Sequence, residues 1–132
     1  MRNAVLIVLL AAVSGNAAAE WVVLGDAGAG NGTSTYYFDP TTIRKTGDRV
    51  KMWSLADNKS PAVFAGKSFM SSRFQAEYDC KEEQMRVLYI ANSSGNMGLG
   101  DIVYSESDAP RWVPVAPGSV NETELKLACG RQ

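Results

Sequence analysis

Two cysteines, Cys80 and Cys129, constrain the fold of this chain more than any other feature of its sequence. They are the only cysteines among 132 residues, and they lack the C-x-x-C spacing typical of redox and metal sites. If the two thiols pair, the bond closes a loop of about 49 residues and stabilises the fold by about 4 kcal/mol in the chain-entropy model. We therefore predict a Cys80–Cys129 disulfide. A redox-active or metal-binding pair is the alternative.

The N-terminus is typical of an export signal, which directs the cysteines to an oxidising compartment. Arg2 supplies a positive charge, Ala4 to Val13 form an apolar run, and Ala17 to Ala19 fit the small-residue pattern of a cleavage site. We predict a signal peptide over residues 1–19 and a single mature domain over residues 20–132. An N-terminal helix or strand of the core is the alternative interpretation.

Composition limits the membrane and nucleic-acid interactions that we expect. The apolar run is about ten residues long, whereas a bilayer span needs roughly 20, and no cysteine follows the predicted cleavage site to take a lipid anchor. The formal net charge of −1 argues against nucleic acid as a bulk electrostatic partner. We expect an exported protein of the periplasm, the cell surface or the medium, with no membrane span and no lipid anchor.

Stretches rich in β-branched and aromatic residues predict a mostly β domain. The clearest alternation of apolar and polar positions covers residues 74–80 and sends Cys80 inward. Pro40 is expected to end the second strand, and Pro61 to lie in a loop over residues 58–66. The predicted strands cover residues 21–24, 33–38, 49–57, 74–80, 84–91 and 101–106. Glycine-rich, flexible loops are predicted over residues 25–32 and 92–100.

The end of the chain predicts one helix. Ser119 and Glu122 form a capping box, Leu125 and Cys129 share a face at helical spacing, and Gly130 stands where a C-terminal cap is expected. The prediction is an α+β fold in which the disulfide joins this helix to the sheet. Positions in the core are expected for Trp53, Tyr78 and Trp112.

The sequence gives no sign of catalytic or cofactor chemistry. It contains no histidine, which removes the usual general base and the commonest metal ligand. The glycine pair Gly28 and Gly30 lacks the third glycine of a dinucleotide fingerprint because Thr33 stands there, and Gly66-Lys67-Ser68 lacks the first glycine of a phosphate-binding loop. We expect no enzyme activity, no cofactor and no bound metal.

An ordered set of aromatic residues, turns and cysteines resembles a known family. The set consists of Trp21, Tyr36-Tyr37-Phe38-Asp39, Val50-Lys51-Met52-Trp53-Ser54-Leu55, Glu77-Tyr78-Asp79-Cys80, Trp112, Pro117-Gly118-Ser119 and Cys129. In this order it resembles the surface-adhesin protein E family of bacterial envelope proteins. The resemblance implies a six-stranded antiparallel sheet with a C-terminal helix held by the disulfide. It also implies binding of host proteins such as vitronectin, laminin and plasminogen, by a homodimer.

Two functions follow as hypotheses. The first is a non-enzymatic binding module of a Gram-negative envelope that contacts a protein partner through the glycine-rich loop at residues 28–32 or the sheet. The second is a periplasmic inhibitor or accessory protein acting on an envelope enzyme, since rigid loops lose little entropy on binding. The candidate contact residues are Tyr37, Arg44, Lys45, Arg49 and Lys51. For the cations, an ordinary solvated face is the alternative.

Overall fold

The fold is a single antiparallel sheet with one helix packed on it. The computed structural model describes residues 19–28, 32–108 and 110–130. The strands are β1 (Val22–Ala27), β2 (Ser34–Thr46), β3 (Arg49–Phe64), β4 (Lys67–Asp79), β5 (Gln84–Ser93), β6 (Ile102–Glu106) and β7 (Val113–Pro114), and the helix is α1 (Val120–Cys129). The predicted signal peptide lies outside the described residues apart from Ala19, as do residues 29–31 of the first glycine-rich loop.

The sheet is a meander, because β1 to β6 lie side by side in chain order and the short β7 pairs with β5. Tight turns join its central strands. In the turn between β4 and β5, the carboxylate of Asp79 accepts the backbone N–H groups of Lys81 at 3.0 Å and Glu82 at 2.9 Å. The predicted α+β class, with about six antiparallel strands and a C-terminal helix, is confirmed.

Pro40 does not end β2, and that prediction is wrong. The strand continues because its register with β3 shifts just after Asp39, and an irregularity of this kind tolerates a residue without an N–H donor. Side chains replace the lost ladder bonds. The Asp39 carboxylate accepts the Thr41 N–H at 2.9 Å, and Thr42 Oγ1 accepts the Trp53 N–H at 3.0 Å. The residues that follow Pro40, up to Thr46, are therefore part of the strand.

The predicted loop over residues 58–66 is also wrong. β3 continues past Pro61 to Phe64, and β4 begins at Lys67, so the two strands form one long hairpin. The register shifts beside Pro61, which places the proline where no ladder bond needs its missing donor. The turn is only two residues long, and both of them, Ala65 and Gly66, adopt positive φ, 53° and 75°.

The second glycine-rich loop is tied to the sheet rather than free. It contains a short 3-10 turn, Asn96–Gly98. The Asp57 carboxylate accepts the Met97 N–H at 2.7 Å. Ser71 Oγ accepts the Gly98 N–H at 2.8 Å and donates to the Gly95 carbonyl at 2.6 Å. These bonds hold the connection between β5 and β6 against β3 and β4.

The predicted helix is confirmed at both ends. Ser119 Oγ accepts the Glu122 N–H at 3.2 Å, as the capping box predicts, while the Glu122 carboxylate accepts the N–H of Gly118, one residue before the expected partner. Gly130 closes the helix in the left-handed conformation, with φ 74°, which glycine adopts without steric cost.

The core lies between α1 and one face of the sheet. Leu125 and Ala128 of the helix pack against the buried face of β3, β4 and β5. The buried members of this cluster are Val50, Met52, Ala76, Tyr78, Met85, Leu125 and Ala128. The predicted disulfide is confirmed: Cys80, at the end of β4, is bonded to Cys129, at the end of α1, with 5.9 Å between their Cα atoms.

One carboxyl group, that of Glu124, is fully buried between the helix and the sheet. Tyr78 of β4 donates a hydroxyl hydrogen bond to its Oε1 at 3.3 Å. Its Oε2 and the nearby Ser54 hydroxyl of β3 have no partner in hydrogen-bonding geometry among the described residues. Burial raises the pKa of Glu124 to about 7, and the Ser54 and Tyr78 hydroxyls oppose that rise. Burial raises the pKa of Tyr36 of β2, and the nearby charge of Glu124 adds to that rise.

Replacing Glu124 by glutamine should flatten the pH dependence of stability. Between about pH 4.5 and 7 the folded state keeps a proton on Glu124, whereas the unfolded chain releases it. The free energy of unfolding therefore falls as the pH rises through this range, by about 3 kcal/mol. Urea unfolding at pH 4.5, 6 and 7.5 measures this slope. Glu124→Gln should lack it, and Glu82→Gln, in an exposed turn, should keep it. Equal slopes in all three proteins would contradict the assignment.

Candidate functional site: the open face of the sheet

The face of the sheet opposite α1, here called the open face, is rich in cations and aromatic rings. Cross-strand partners project to the same side of a sheet. The register aligns Arg44 of β2 with Lys51 of β3, Lys51 with Glu77 of β4, and Glu77 with Arg86 of β5. Arg49 lies two residues from Lys51 and shares its face. A row of three cations, Arg44, Lys51 and Arg86, therefore crosses the sheet with Glu77 among them, and Arg49 lies beside it.

Four of the five predicted contact residues lie on this face. Tyr37 is half-buried there, and Arg44, Arg49 and Lys51 are exposed. Lys45 is separate from them, because it pairs with Val50 of the buried face. Its Nζ lies at the end of α1, 3.5 Å from the position that a Cβ on Gly130 would occupy. The structure thus brings four of these side chains to one surface and places the fifth elsewhere.

Trp112 packs on the open face between two guanidinium groups. Arg86 lies 4.5 Å and Arg49 5.1 Å from the centroid of its ring, within the range of cation–π attraction. The Arg86 guanidinium also donates two hydrogen bonds to Glu77 Oε1, at 2.8 and 3.0 Å. The expectation that Trp112 is a core residue is therefore wrong. The ring is half-buried and orients two of the cations.

Trp53 is half-buried on the same face rather than in the core, in contrast to Tyr78, which is fully buried as expected. Its ring meets Tyr89 edge-on at 5.7 Å. With Trp21 and Arg73 it lines a shallow cleft of about 370 Å³. The N-terminal segment of the described chain therefore runs along the open face and forms one wall of this cleft.

Asp39 connects that N-terminal segment to the sheet. Its side chain is only 3% exposed, and both of its carboxylate oxygens accept hydrogen bonds. Oδ1 accepts the Thr41 N–H and hydroxyl at 2.9 and 2.6 Å, and Oδ2 accepts the backbone N–H of Glu20 at 3.1 Å. This bond fixes the path of Trp21 across the open face.

Among the described residues, neither a cluster of metal ligands nor a helix that could span a membrane is found. No group of three or more metal-ligating side chains occurs among them. In the same part of the chain, no helix has the length and apolar character that a membrane span requires. The open face presents cations, indole and phenol rings, and the buried carboxylates of Asp39 and Glu77.

The fold and this face define a class of protein, a single-sheet β domain closed by a disulfide-bonded C-terminal helix. The family model for surface-adhesin protein E matches residues 21–130, and the chain belongs to that family, whose members are exported to the cell surface. The fold is also similar to two solved structures of Haemophilus influenzae protein E. The first, crystal form II, has a TM-score of 0.58 at 13% identity, covering 72% of this chain and 80% of that one.

The second structure, protein E from a non-typeable strain, has a TM-score of 0.52 at 12% identity, covering 72% of this chain and 69% of that one. At such low identity the likeness concerns the fold alone. No curated protein sequence matches the chain. Family membership agrees with the resemblance seen in the sequence and makes the chain an adhesin-like surface protein.

Sequence reasoning missed three residues that shape the open face. Arg86 was not singled out, although its strand partner Glu77 stands in a clearly alternating strand. Trp112 lies two residues after Pro110 in an irregular segment. No alternation of apolar and polar residues there predicts the direction of a side chain. Asp39 belongs to the set of residues that resembles the family, but no role in a site is predicted for it. An acidic residue before Pro-Thr-Thr is typical of a carboxylate that accepts hydrogen bonds from nearby backbone N–H groups. This pattern would have identified Asp39.

We expect the amine at residue 20 to stabilise the mature protein. If cleavage follows Ala19, the nitrogen that faces Asp39 becomes a charged α-ammonium, and the hydrogen bond becomes an ion pair. A protein beginning at Glu20 should then be more stable at pH 6 than the same protein with an acetylated N-terminus, by about 1 kcal/mol. Thermal unfolding measures the difference. In an Asp39→Asn background the two forms should unfold alike, and a difference that persists there would contradict this role of Asp39.

Proposed function

We propose that this protein is a non-enzymatic binding module of the bacterial envelope and contacts a protein partner through the open face. The observation that carries the proposal is the row of cations formed by Arg44, Lys51 and Arg86, with Arg49 and its stacked Trp112 beside it. Aromatic residues and arginine are enriched in protein interfaces, and they dominate the residues whose loss weakens binding most.

The charge of this face indicates the kind of partner. Arg44, Arg49 and Lys51 are exposed and form no ion pair among the described residues. Complementary charges speed association and select the partner, so the partner should present an acidic patch. Membership of a surface-adhesin family supports a partner from the host, such as an extracellular-matrix or plasma protein.

Neutralising the three exposed cations of the open face tests the proposal. The triple variant Arg44→Gln, Arg49→Gln, Lys51→Gln should bind immobilised vitronectin or laminin at least about tenfold more weakly than the native protein, as measured by surface plasmon resonance. The matched control, Lys45→Gln, Lys67→Gln, Lys126→Gln, removes the same charge from exposed positions off the open face and should bind like the native protein.

Two results would contradict the proposal. If both triple variants bind equally weakly, net charge rather than the open face governs association. If the native protein binds neither host protein but is retained by one defined periplasmic enzyme, the inhibitor or accessory function replaces adhesion. Circular dichroism of each variant separates these results from a loss of folding.

A further inference from the structure

A second surface, distinct from the open face, lies between the tip of the β3–β4 hairpin and β6. It is a cleft of about 500 Å³, and its walls are mostly apolar. The Phe64 ring meets the Tyr104 ring edge-on, with 4.8 Å between the centroids. This contact brings the hairpin tip to β6, although β4 and β5 lie between the two strands in the sheet. The apolar lining residues are Val63, Phe64, Phe69, Val87, Ile90 and Tyr104.

The apolar walls remain largely uncovered. Phe64 is 50% exposed and Val63 is 70% exposed. Each large apolar side chain gains about 1.5 to 3 kcal/mol when it is fully buried, and a volume near 500 Å³ is within the range of ligand sites. The cleft is therefore able to take apolar side chains from a ligand.

One end of the cleft is negatively charged. Glu106 and Asp108 line it, and the Tyr104 hydroxyl donates a hydrogen bond to Glu106. That hydrogen bond is the main reason why the pKa of Tyr104 is raised, and the charges of both carboxylates add to it. Neither carboxylate forms an ion pair within the described residues. A lysine or arginine of a ligand would supply the missing charge.

The neighbouring strand has an unpaired edge. In the described part of the chain β6 pairs with β5 alone, so its other edge presents backbone N–H and C=O groups to a further strand. Tyr104 and Glu106 of β6 line the cleft. A peptide added to this edge would point every second side chain toward the same side as these two residues.

We propose that this cleft and the β6 edge together bind an extended peptide segment of a protein partner. The segment adds a strand to β6, places apolar side chains two residues apart beside Tyr104 at the rim of the cleft, and presents a lysine or arginine to Glu106 and Asp108. The cleft provides the apolar contact, the carboxylates select a basic segment, and the strand edge fixes its direction. This inference concerns a different surface from the open face and does not rest on the function proposed for that face.

The first test uses a capped peptide of the sequence Lys-Thr-Ile-Thr-Val-Thr-Lys, in which both lysines and both apolar residues share one side of an extended strand. Binding is followed by amide chemical shifts in NMR spectra of the native protein. We expect the shifts to concentrate on β6 and on the cleft residues. The same peptide with glutamates in place of both lysines should bind at least about tenfold more weakly.

Protein variants test the two components of the cleft. Glu106→Gln with Asp108→Asn should weaken binding of the lysine peptide by about tenfold, whereas Asp48→Asn with Glu82→Gln, in turns away from the cleft, should not. Phe64→Ala should also weaken binding, and Leu99→Ala, which removes an exposed apolar side chain outside the cleft, should not. Unfolding curves of all four variants establish that each is folded.

Methylated peptides test strand addition itself, because alternate amides of a strand point to opposite edges. One peptide is N-methylated at its threonines and the other at isoleucine and valine. We expect one of them to lose binding and the other to keep it. Equal binding of both, equal binding of the lysine and glutamate peptides, shifts centred away from β6, or no detectable binding at millimolar peptide would each overturn the proposal.

Discussion

The attachment of α1 to one face of the sheet is the constraint on which the rest of the structure depends. The cluster around Tyr78 and Met52 is small, and a domain of this size buries too little apolar surface to be stable by a wide margin. The Cys80–Cys129 bond joins the ends of β4 and α1 and so limits the freedom of the unfolded chain. The helix is thereby held over the apolar cluster of β3, β4 and β5.

The helix covers one face of the sheet and leaves much of the other face exposed, and this asymmetry explains where cations and rings collect. An antiparallel sheet with one packed face alternates apolar and polar residues along each strand. In β3 the alternation sends Val50 and Met52 to the helix, and Arg49, Lys51 and Trp53 outward. The long strands, extended through bulges at their prolines, widen the outward surface. The same geometry that forms the core therefore also forms the candidate binding face.

The sequence predicted the parts of this fold that depend on local signals. The helix with its Ser119 cap and the disulfide are local or chemical features, and they were predicted correctly. The lengths of β2 and β3 were not, because Pro40 and Pro61 were interpreted as strand ends. Only the partner strand decides whether a bulge accommodates a proline. The location of Trp112 could not be predicted for a similar reason, since its direction depends on Arg49 and Arg86 from distant strands.

A net charge near zero conceals a separation of charge between two surfaces. The formal charge of −1 argues against nucleic acid as a bulk electrostatic partner, but it does not describe how the charges are distributed over the surface. The open face collects arginine and lysine, while the cleft beside β6 presents Glu106 and Asp108 without cations of their own. Opposite charge at separate surfaces discourages one ligand from occupying both, because a segment that suits the acidic cleft is repelled by the basic face. The two proposals together therefore predict that the domain binds two partners of opposite charge at separate surfaces.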